Sequence, residues 1–210
     1  MKKIPGGQPK RLTVDSDGTT GGKVSNPLFA PDGRRVLFTV ELGLGYYKGE
    51  PYFRQRVWLL DVGTKKLRRL TGQEEMFLDR QWSPSGKYVA LVALYPEATL
   101  SVIDLTTGKR RTIAKSPTSN WHISWSSDSR RLFYYVDEPK RAVYVAAIGT
   151  GRSRRLFQPK EDVISLMCSP DGARIAYVEG RALRLASQRD GSGIKTILRL
   201  PTSQGFENDA

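Results

Sequence analysis

Cysteine and histidine are almost missing from this 210-residue chain, which contains only Cys168 and His122. A single cysteine excludes an intramolecular disulfide and a cysteine-rich metal site. A single histidine excludes a metal held by several imidazoles. The sequence therefore predicts no metal centre and no cofactor.

Long apolar runs are also missing, because the longest extend over only about five to seven residues. No segment is long enough to span a bilayer, and MKKIPGGQPKRL at the N-terminus lacks the apolar stretch of a secretory signal. As the sequence stands we expect a cytoplasmic protein. A periplasmic or extracellular location is expected if the chain is part of a longer secreted protein.

The motifs of common enzymes are missing too. The sequence contains no G-x-S-x-G nucleophile elbow and no phosphate-binding P-loop. His122 lies in the apolar run NWHISW, where a strand-lining role is the ordinary interpretation. Asp61 and Asp104 are 43 residues apart in equivalent places, which is typical of aspartates that cap a repeated turn. We therefore predict no catalytic residues.

Negative charge is in short supply, with 21 acidic residues against 34 Lys and Arg, a net charge of +13 and a pI near 10.0. Such an excess favours anionic partners through long-range attraction, although it identifies none.

What the sequence does have is an internal repeat built around a turn. CSPDGARIAYV places Asp171 in a Pro-Asp-Gly turn between two apolar runs. Steps of 43, 43 and 53 residues toward the N-terminus reach Asp128 in WSSDSRRLFYYV, Ser85 in WSPSGKYVALV and Asp32 in FAPDGRRVLFTV. The chain is therefore an array of four similar units.

Each unit is predicted to form four short antiparallel strands, because apolar runs of four to seven residues alternate with Gly, Pro, Asp and Ser turns. The second strands are apolar at consecutive positions, as in Val89, Ala90 and Leu91, so both faces must be covered. A plain β-sandwich is the alternative, but it does not require strands at a fixed spacing. The prediction is an all-β propeller of about four four-stranded blades forming an incomplete ring.

The repeated pattern resembles the TolB-like, WD-like propeller repeat. It consists of an aromatic residue, Ser-Pro-Asp-Gly, an apolar strand, a strand ending in Asp, a Gly-containing turn and Arg-Arg-Leu-Thr. The segments that carry it are FAPDGRRVLF with VWLLDVGTKKLRRLT, WSPSGKYVAL with SVIDLTTGKRRTI, and CSPDGARIAYV with ASQRDGSGIKTIL. The propellers of prolyl-oligopeptidase-like proteins share this pattern. Since propellers of this kind have six or more blades, the resemblance implies that four blades form an arc.

Four blades are expected at about 24–71, 78–114, 120–157 and 162–199, within a propeller region at 21–200. Residues 1–20 are expected to carry an orphan outer strand, GGQPKRLT, and 201–210 a disordered tail. An arc exposes the apolar flanks of its end blades, so we also expect either self-association that closes the ring or packing against further blades.

Antiparallel strands sort the connecting turns onto two faces, and the basic residues collect on one of them. The candidate anion-binding residues there are Lys65, Lys66, Lys109, Arg110, Arg152 and Arg154. Protection of exposed strand edges is the favoured interpretation of the basic face, and it explains Arg68, Arg69, Arg111 and Arg155 well. Nucleic acid or another anionic surface is thus a secondary partner class, because basic and aromatic residues do not alternate here.

The second face is close to neutral and carries the one irregularity of the repeat. Ten extra residues fall in the connection ELGLGYYKGEPYFRQR (41–56), which adds Tyr46, Tyr47, Tyr52 and Phe53. Aromatic residues on an inserted loop are typical of an interface, although they could equally pack on one another. We interpret the chain as a non-enzymatic TolB-like module that binds a protein or peptide. The alternative is an accessory propeller of a prolyl-oligopeptidase-like peptidase.

Overall fold

A computed structural model describes residues 23–72, 75–116, 121–137 and 139–201 of the chain. These residues form sixteen β-strands in four antiparallel sheets, and none of the described residues is helical. The all-β prediction is therefore confirmed. The expected N-terminal segment 1–20, and all but the first residue of the expected tail, lie outside the described residues.

Each sheet is a meander of four strands that are consecutive in the chain. Sheet 1 comprises β1 (Lys23–Phe29), β2 (Arg35–Tyr47), β3 (Glu50–Asp61) and β4 (Leu67–Arg69). Sheet 2 comprises β5 (Met76–Trp82), β6 (Tyr88–Tyr95), β7 (Thr99–Asp104) and β8 (Arg110–Lys115). Sheet 3 comprises β9 (His122–Trp125), β10 (Arg131–Val136), β11 (Ala142–Ala147) and β12 (Ser153–Phe157). Sheet 4 comprises β13 (Val163–Cys168), β14 (Arg174–Glu179), β15 (Ala182–Ser187) and β16 (Lys195–Arg199).

The repeated Ser-Pro-Asp-Gly motif forms the turn between the first two strands of a sheet. In sheet 4 the Ser169 hydroxyl donates to Asp171 Oδ1 at 2.5 Å, and the same oxygen accepts the amide of Ala173 at 2.9 Å. Gly172 follows with a φ of 74°, a left-handed conformation that glycine adopts without steric cost. The carboxylate thus accepts from the backbone within the turn, as Asp32 and Asp128 do in sheets 1 and 3, whereas sheet 2 has Ser85 at this position.

Three buried clusters hold the four sheets together, one at each junction between consecutive sheets. Leu37 and Val57 of sheet 1 pack with Val89 and Leu91 of sheet 2. The opposite face of sheet 2 packs on sheet 3, and the opposite face of sheet 3 packs on sheet 4. Both faces of the inner sheets are therefore buried, as the apolar second strands predicted.

The part of the chain that the structure describes does not form a closed ring. Among the described residues, the three apolar clusters join sheets 1 and 2, 2 and 3, and 3 and 4, and none joins sheet 4 to sheet 1. The structure is thus an arc of about four blades, which confirms the predicted fold class.

Candidate functional site

The ten extra residues of the first unit do not form a loop. They lengthen β2 and β3 into one hairpin that closes with the two-residue turn Lys48-Gly49. Both turn residues have positive φ, 53° and 88°, as a tight hairpin turn of the right twist requires. The prediction of a loop at 41–56 is therefore wrong, because the inserted residues extend the antiparallel pairing of β2 and β3.

One face of the hairpin packs against sheet 2. The Tyr52 ring stacks on Tyr95 with the centroids 5.4 Å apart, and the Tyr47 ring meets Tyr95 edge-on at 6.4 Å. Gly45 leaves room for the Arg54 side chain, because a Cβ at residue 45 would lie 2.7 Å from that side chain. Such ring pairs contribute about 0.5–1.5 kcal/mol each beyond their buried area. The hairpin is thus braced on its neighbour.

The opposite face of the hairpin is apolar and exposed. Tyr46 is 73% exposed, Leu44 55% and Phe53 54%, and Pro51 beside them is exposed as well. The register places Leu44 opposite Phe53 and Tyr46 opposite Pro51, so all four share one face. The four aromatic candidates therefore divide into an internal pair, Tyr47 and Tyr52, and an accessible pair, Tyr46 and Phe53.

A cleft of about 510 Å³ lies between the hairpin and the outer strands of sheet 2. Its lining combines one aromatic ring with polar and charged side chains: Tyr47, Glu75, Pro96, Glu97, Thr99, Arg110, Thr112 and Lys115. At its rim Lys115 Nζ lies 2.5 Å from Glu97 Oε2, and this hydrogen bond holds the pKa of the carboxyl below its ordinary value. Both groups are exposed, so water and salt can compete for the contact.

The Arg110 side chain lines this cleft and does not extend into solvent from the basic face. Its guanidinium donates to both oxygens of Glu75 at 2.5 and 2.7 Å, and its Nε donates to Ser101 Oγ at 2.8 Å. The Glu75 side chain is only 6% exposed. Arg110, predicted as an anion-binding residue, is thus neutralised by a bidentate ion pair.

Arg154 also makes an internal contact, donating through Nη2 to the carbonyl of Arg189 in sheet 4 at 2.5 Å. The other predicted anion-binding residues, Lys65, Lys66, Lys109 and Arg152, lie exposed in turns between third and fourth strands. The structure therefore separates the six basic candidates into four turn residues and two residues with internal partners.

The sequence analysis interpreted Arg68 and Arg111 as edge protection and Arg154 as anion-binding, and it missed that these arginines connect consecutive sheets. Arg68 of sheet 1 donates twice to the carbonyl of Leu105 at 3.0 Å, and Arg111 of sheet 2 donates to that of Ile148 at 3.2 Å. With Arg154 these residues are spaced 43 apart in the sequence, and that spacing was the available signal. Each one tethers an outer strand to a turn of the next sheet.

Polar residues of the inner strand β5 form a second set of contacts that the sequence did not reveal. Arg80 Nη1 donates to Thr39 Oγ1 at 3.1 Å, which ties sheet 2 to sheet 1. Gln81 Nε2 donates to the carbonyl of Ile123 at 3.0 Å, which ties sheet 2 to sheet 3. Burial lowers the pKa of Arg80 from its ordinary value.

The residues considered for catalysis occupy structural positions. His122 is half-buried and stacked on Tyr135 at 6.2 Å, and burial lowers its pKa. Asp61 accepts the amide of Thr64 at 2.7 Å and Asp104 that of Thr106 at 2.8 Å, which confirms the turn-capping interpretation. Within the part of the chain that the structure describes, no three His, Cys, Asp or Glu side chains are grouped to hold a metal ion.

No protein-family model matches the chain, whereas many solved structures share its fold. TolB from Acinetobacter baumannii is 17% identical with a TM-score of 0.59, and the alignment covers 86% of this chain and 45% of that one. A putative TolB from Agrobacterium tumefaciens is 21% identical with a TM-score of 0.59, covering 86% and 64%. Dipeptidyl peptidase 4 from Porphyromonas gingivalis is 12% identical with a TM-score of 0.64, covering 86% and 33%.

These likenesses show the TolB-like propeller fold that the repeat resembles, and at such identities they show the fold alone. The chain spans less than two thirds of each of these three structures. Over the described residues, no helix has the length and apolar character needed to cross a membrane.

Proposed function

We propose that this TolB-like propeller arc is a non-enzymatic module that binds a protein or peptide through the long hairpin of sheet 1. The observation that carries the proposal is the exposed apolar face of Leu44, Tyr46, Pro51 and Phe53 on a hairpin whose other face is braced. Tyrosine and phenylalanine on a rigid support supply contact area at little cost in conformational entropy.

The cleft beside the hairpin supports the same assignment. It lies on the braced side of the hairpin, where Tyr47 lines it, and its charged residues occur as the pairs Arg110–Glu75 and Lys115–Glu97. A surface that combines an apolar patch with compensated charge fits a protein partner better than a polyanion, because a polyanion needs uncompensated cations. Nucleic acid or another anionic surface thus remains the secondary class, assigned to Lys65, Lys66, Lys109 and Arg152. No feature of the described residues favours an accessory peptidase propeller.

The test compares two sets of substitutions in affinity capture with quantitative mass spectrometry. Tyr46→Ser with Phe53→Ser should remove at least nine tenths of the captured partner, because the exposed patch loses both aromatic rings. The matched control changes Lys65, Lys66, Lys109 and Arg152 to Gln and should leave capture within about twofold. Circular dichroism and the Tm of each variant check that the fold persists. A partner that survives the first set and is lost on the second would place the site on the basic face.

The non-enzymatic part of the proposal has its own test. We expect the purified chain to turn over no peptide substrate, since its one histidine is half-buried against Tyr135. Hydrolysis that copurifies with the chain and disappears in His122→Ala would contradict this assignment.

A further inference from the structure

The face of sheet 4 that points away from sheet 3 is apolar, and no other sheet of the described residues covers it; we call it the free flank of sheet 4. Met167 pairs through Ala176 with Leu185, and Val178 pairs through Leu183 with Leu198, so these residues share that face. Met167 is 66% exposed, Leu198 53% and neighbouring Ile164 60%. An apolar patch of this kind on a sheet face marks a surface that another surface covers.

The equivalent face of sheet 3 shows what kind of surface fits. Phe133, Tyr135 and Val143 occupy the corresponding register positions and are fully buried. They pack on residues of sheet 4 that include Ile175 and Tyr177. Sheet 3 uses this face to pack on sheet 4. The free flank of sheet 4 is the equivalent face of its own unit.

The flank also keeps the basic residue that accompanies each junction. At each junction an arginine of the outer strand donates to a carbonyl of the next sheet. The register pairs these arginines with apolar residues of the third strand: Arg68 with Leu59, Arg111 with Val102, and Arg154 with Val145. Lys195 has the same register position, opposite Leu185. Its ammonium group is able to donate to an equivalent carbonyl, so the free flank carries both the apolar patch and the donor of a blade junction.

Sheet 1 presents the complementary half. The carbonyl of Leu105 accepts from Arg68, and the amide of Leu105 donates to the carbonyl of Lys87. In sheet 1 the amide of Val62 donates to Arg34 in the same way, which places the Val62 carbonyl at the acceptor position.

The face of sheet 1 that points away from sheet 2 also exposes apolar side chains along its inner strand; we call it the free flank of sheet 1. Phe29 is 64% exposed and Val24 55%, and β1 pairs them with Val36 and Val40. Phe38 and Val40 on this face are already buried, so its accessible part follows β1. On the free flank of sheet 4, Met167 and Ile164 likewise belong to the inner strand, β13.

We propose that the free flank of sheet 4 binds the free flank of sheet 1 of a second copy of the chain. Inner strand β13 would then lie beside β1 of the other copy, as β9 lies beside β13 within one chain. Two copies arranged in this way present each flank once to the other, so a two-fold pair covers both. The proposal does not rest on the binding role proposed for the hairpin, because the contact argued here is between β13 and β1.

Sedimentation velocity over a wide concentration range tests the association. The wild-type chain should sediment as a dimer at micromolar concentration, and Met167→Glu should raise the dissociation constant at least a hundredfold by burying a charge in the junction. Lys195→Ala should raise it roughly tenfold, the usual effect of losing one charged hydrogen bond. Lys109→Ala is the matched control for Lys195→Ala, since Lys109 is an exposed turn residue of sheet 2, outside both flanks, and its loss should leave the dimer intact. A wild-type chain that stays monomeric would overturn the proposal.

Mixing two variants tests the head-to-tail arrangement. Phe29→Glu and Met167→Glu should each weaken self-association, yet an equimolar mixture should form a heterodimer through the one junction in which both flanks are unaltered. If Phe29→Glu alone dimerises like the wild type, sheet 1 takes no part and the proposed pairing is wrong. Circular dichroism of both variants shows whether a lost dimer reflects the flank or the fold.

Discussion

Sheets 3 and 4 are built from the same repeat, yet one is covered on both faces and the other on one. Phe133 and Tyr135 of sheet 3 are fully buried, whereas Ala176 and Val178 at the corresponding positions of sheet 4 are half-exposed. The covered face of sheet 4 resembles the corresponding face of sheet 3, since Tyr177 and Tyr134 are each almost completely buried. Burial in this chain therefore follows from having a neighbouring blade, and the repeat alone does not determine it.

The largest expected difference between the two sheets is in stability. Phe133→Ala should lower the free energy of unfolding by about 3–5 kcal/mol, because it removes a whole ring from a close-packed junction. Leu183→Ala on the free flank of sheet 4 should cost less than about 1 kcal/mol, because the side chain is only half-buried. Urea unfolding at concentrations where the chain is monomeric measures both values. Similar losses would show that sheet 4 is as covered as sheet 3.

A smaller difference is expected between the basic residues of the two sheets. Arg154→Ala should cost about 1 kcal/mol, because the guanidinium loses its hydrogen bond to the Arg189 carbonyl across the junction. Lys195→Ala should have almost no effect on the unfolding of the monomer. If Arg154→Ala changes the free energy of unfolding as little as Lys195→Ala does, the arginine contributes nothing as a tether between sheets.

The next expected difference concerns the reactivity of two adjacent residues on opposite faces of β13. Burial raises the pKa of the Cys168 thiol to about 11, whereas the Met167 side chain is 66% exposed. At pH 8 the thiol should react with a disulfide reagent far more slowly in the folded chain than in denaturant, while Met167 should be oxidised readily by peroxide. Peptide mass spectrometry quantifies both modifications. A thiol that reacts as fast as in the unfolded chain would mean that the junction opens.

The same thiol gives the pH dependence a definite sign. Its pKa in the folded chain is above the ordinary value of 9.0, so folding favours the protonated form. Its contribution to stability is complete below about pH 9 and is lost as the pH rises toward about 11. Replacing Cys168 with Ala should therefore make the decline in Tm over this alkaline range less steep.

Turns and strands were predictable from the sequence because their causes are local. The Ser-Pro-Asp-Gly turn contains its own hydrogen-bond acceptor, Asp171, and the apolar runs on either side must leave water together. The hairpin at 41–56 was misjudged as a loop, although Lys48-Gly49 offered a turn signal between two alternating segments. Its division into a braced face and an exposed face could not be predicted, because it depends on Tyr95 of the next sheet.

The basic residues show most clearly which features the sequence determined and which depended on tertiary packing. Composition and spacing established that Lys and Arg recur in every unit, and the strand pattern assigned them to one face. Only the tertiary structure decided that Arg110 neutralises Glu75 and that Arg154 tethers sheet 4, whereas Lys65 and Lys109 lie exposed. A sequence determines its turns and strands through contacts a few residues apart. The partner of a long flexible side chain is set by distant segments that meet only when the sheets pack.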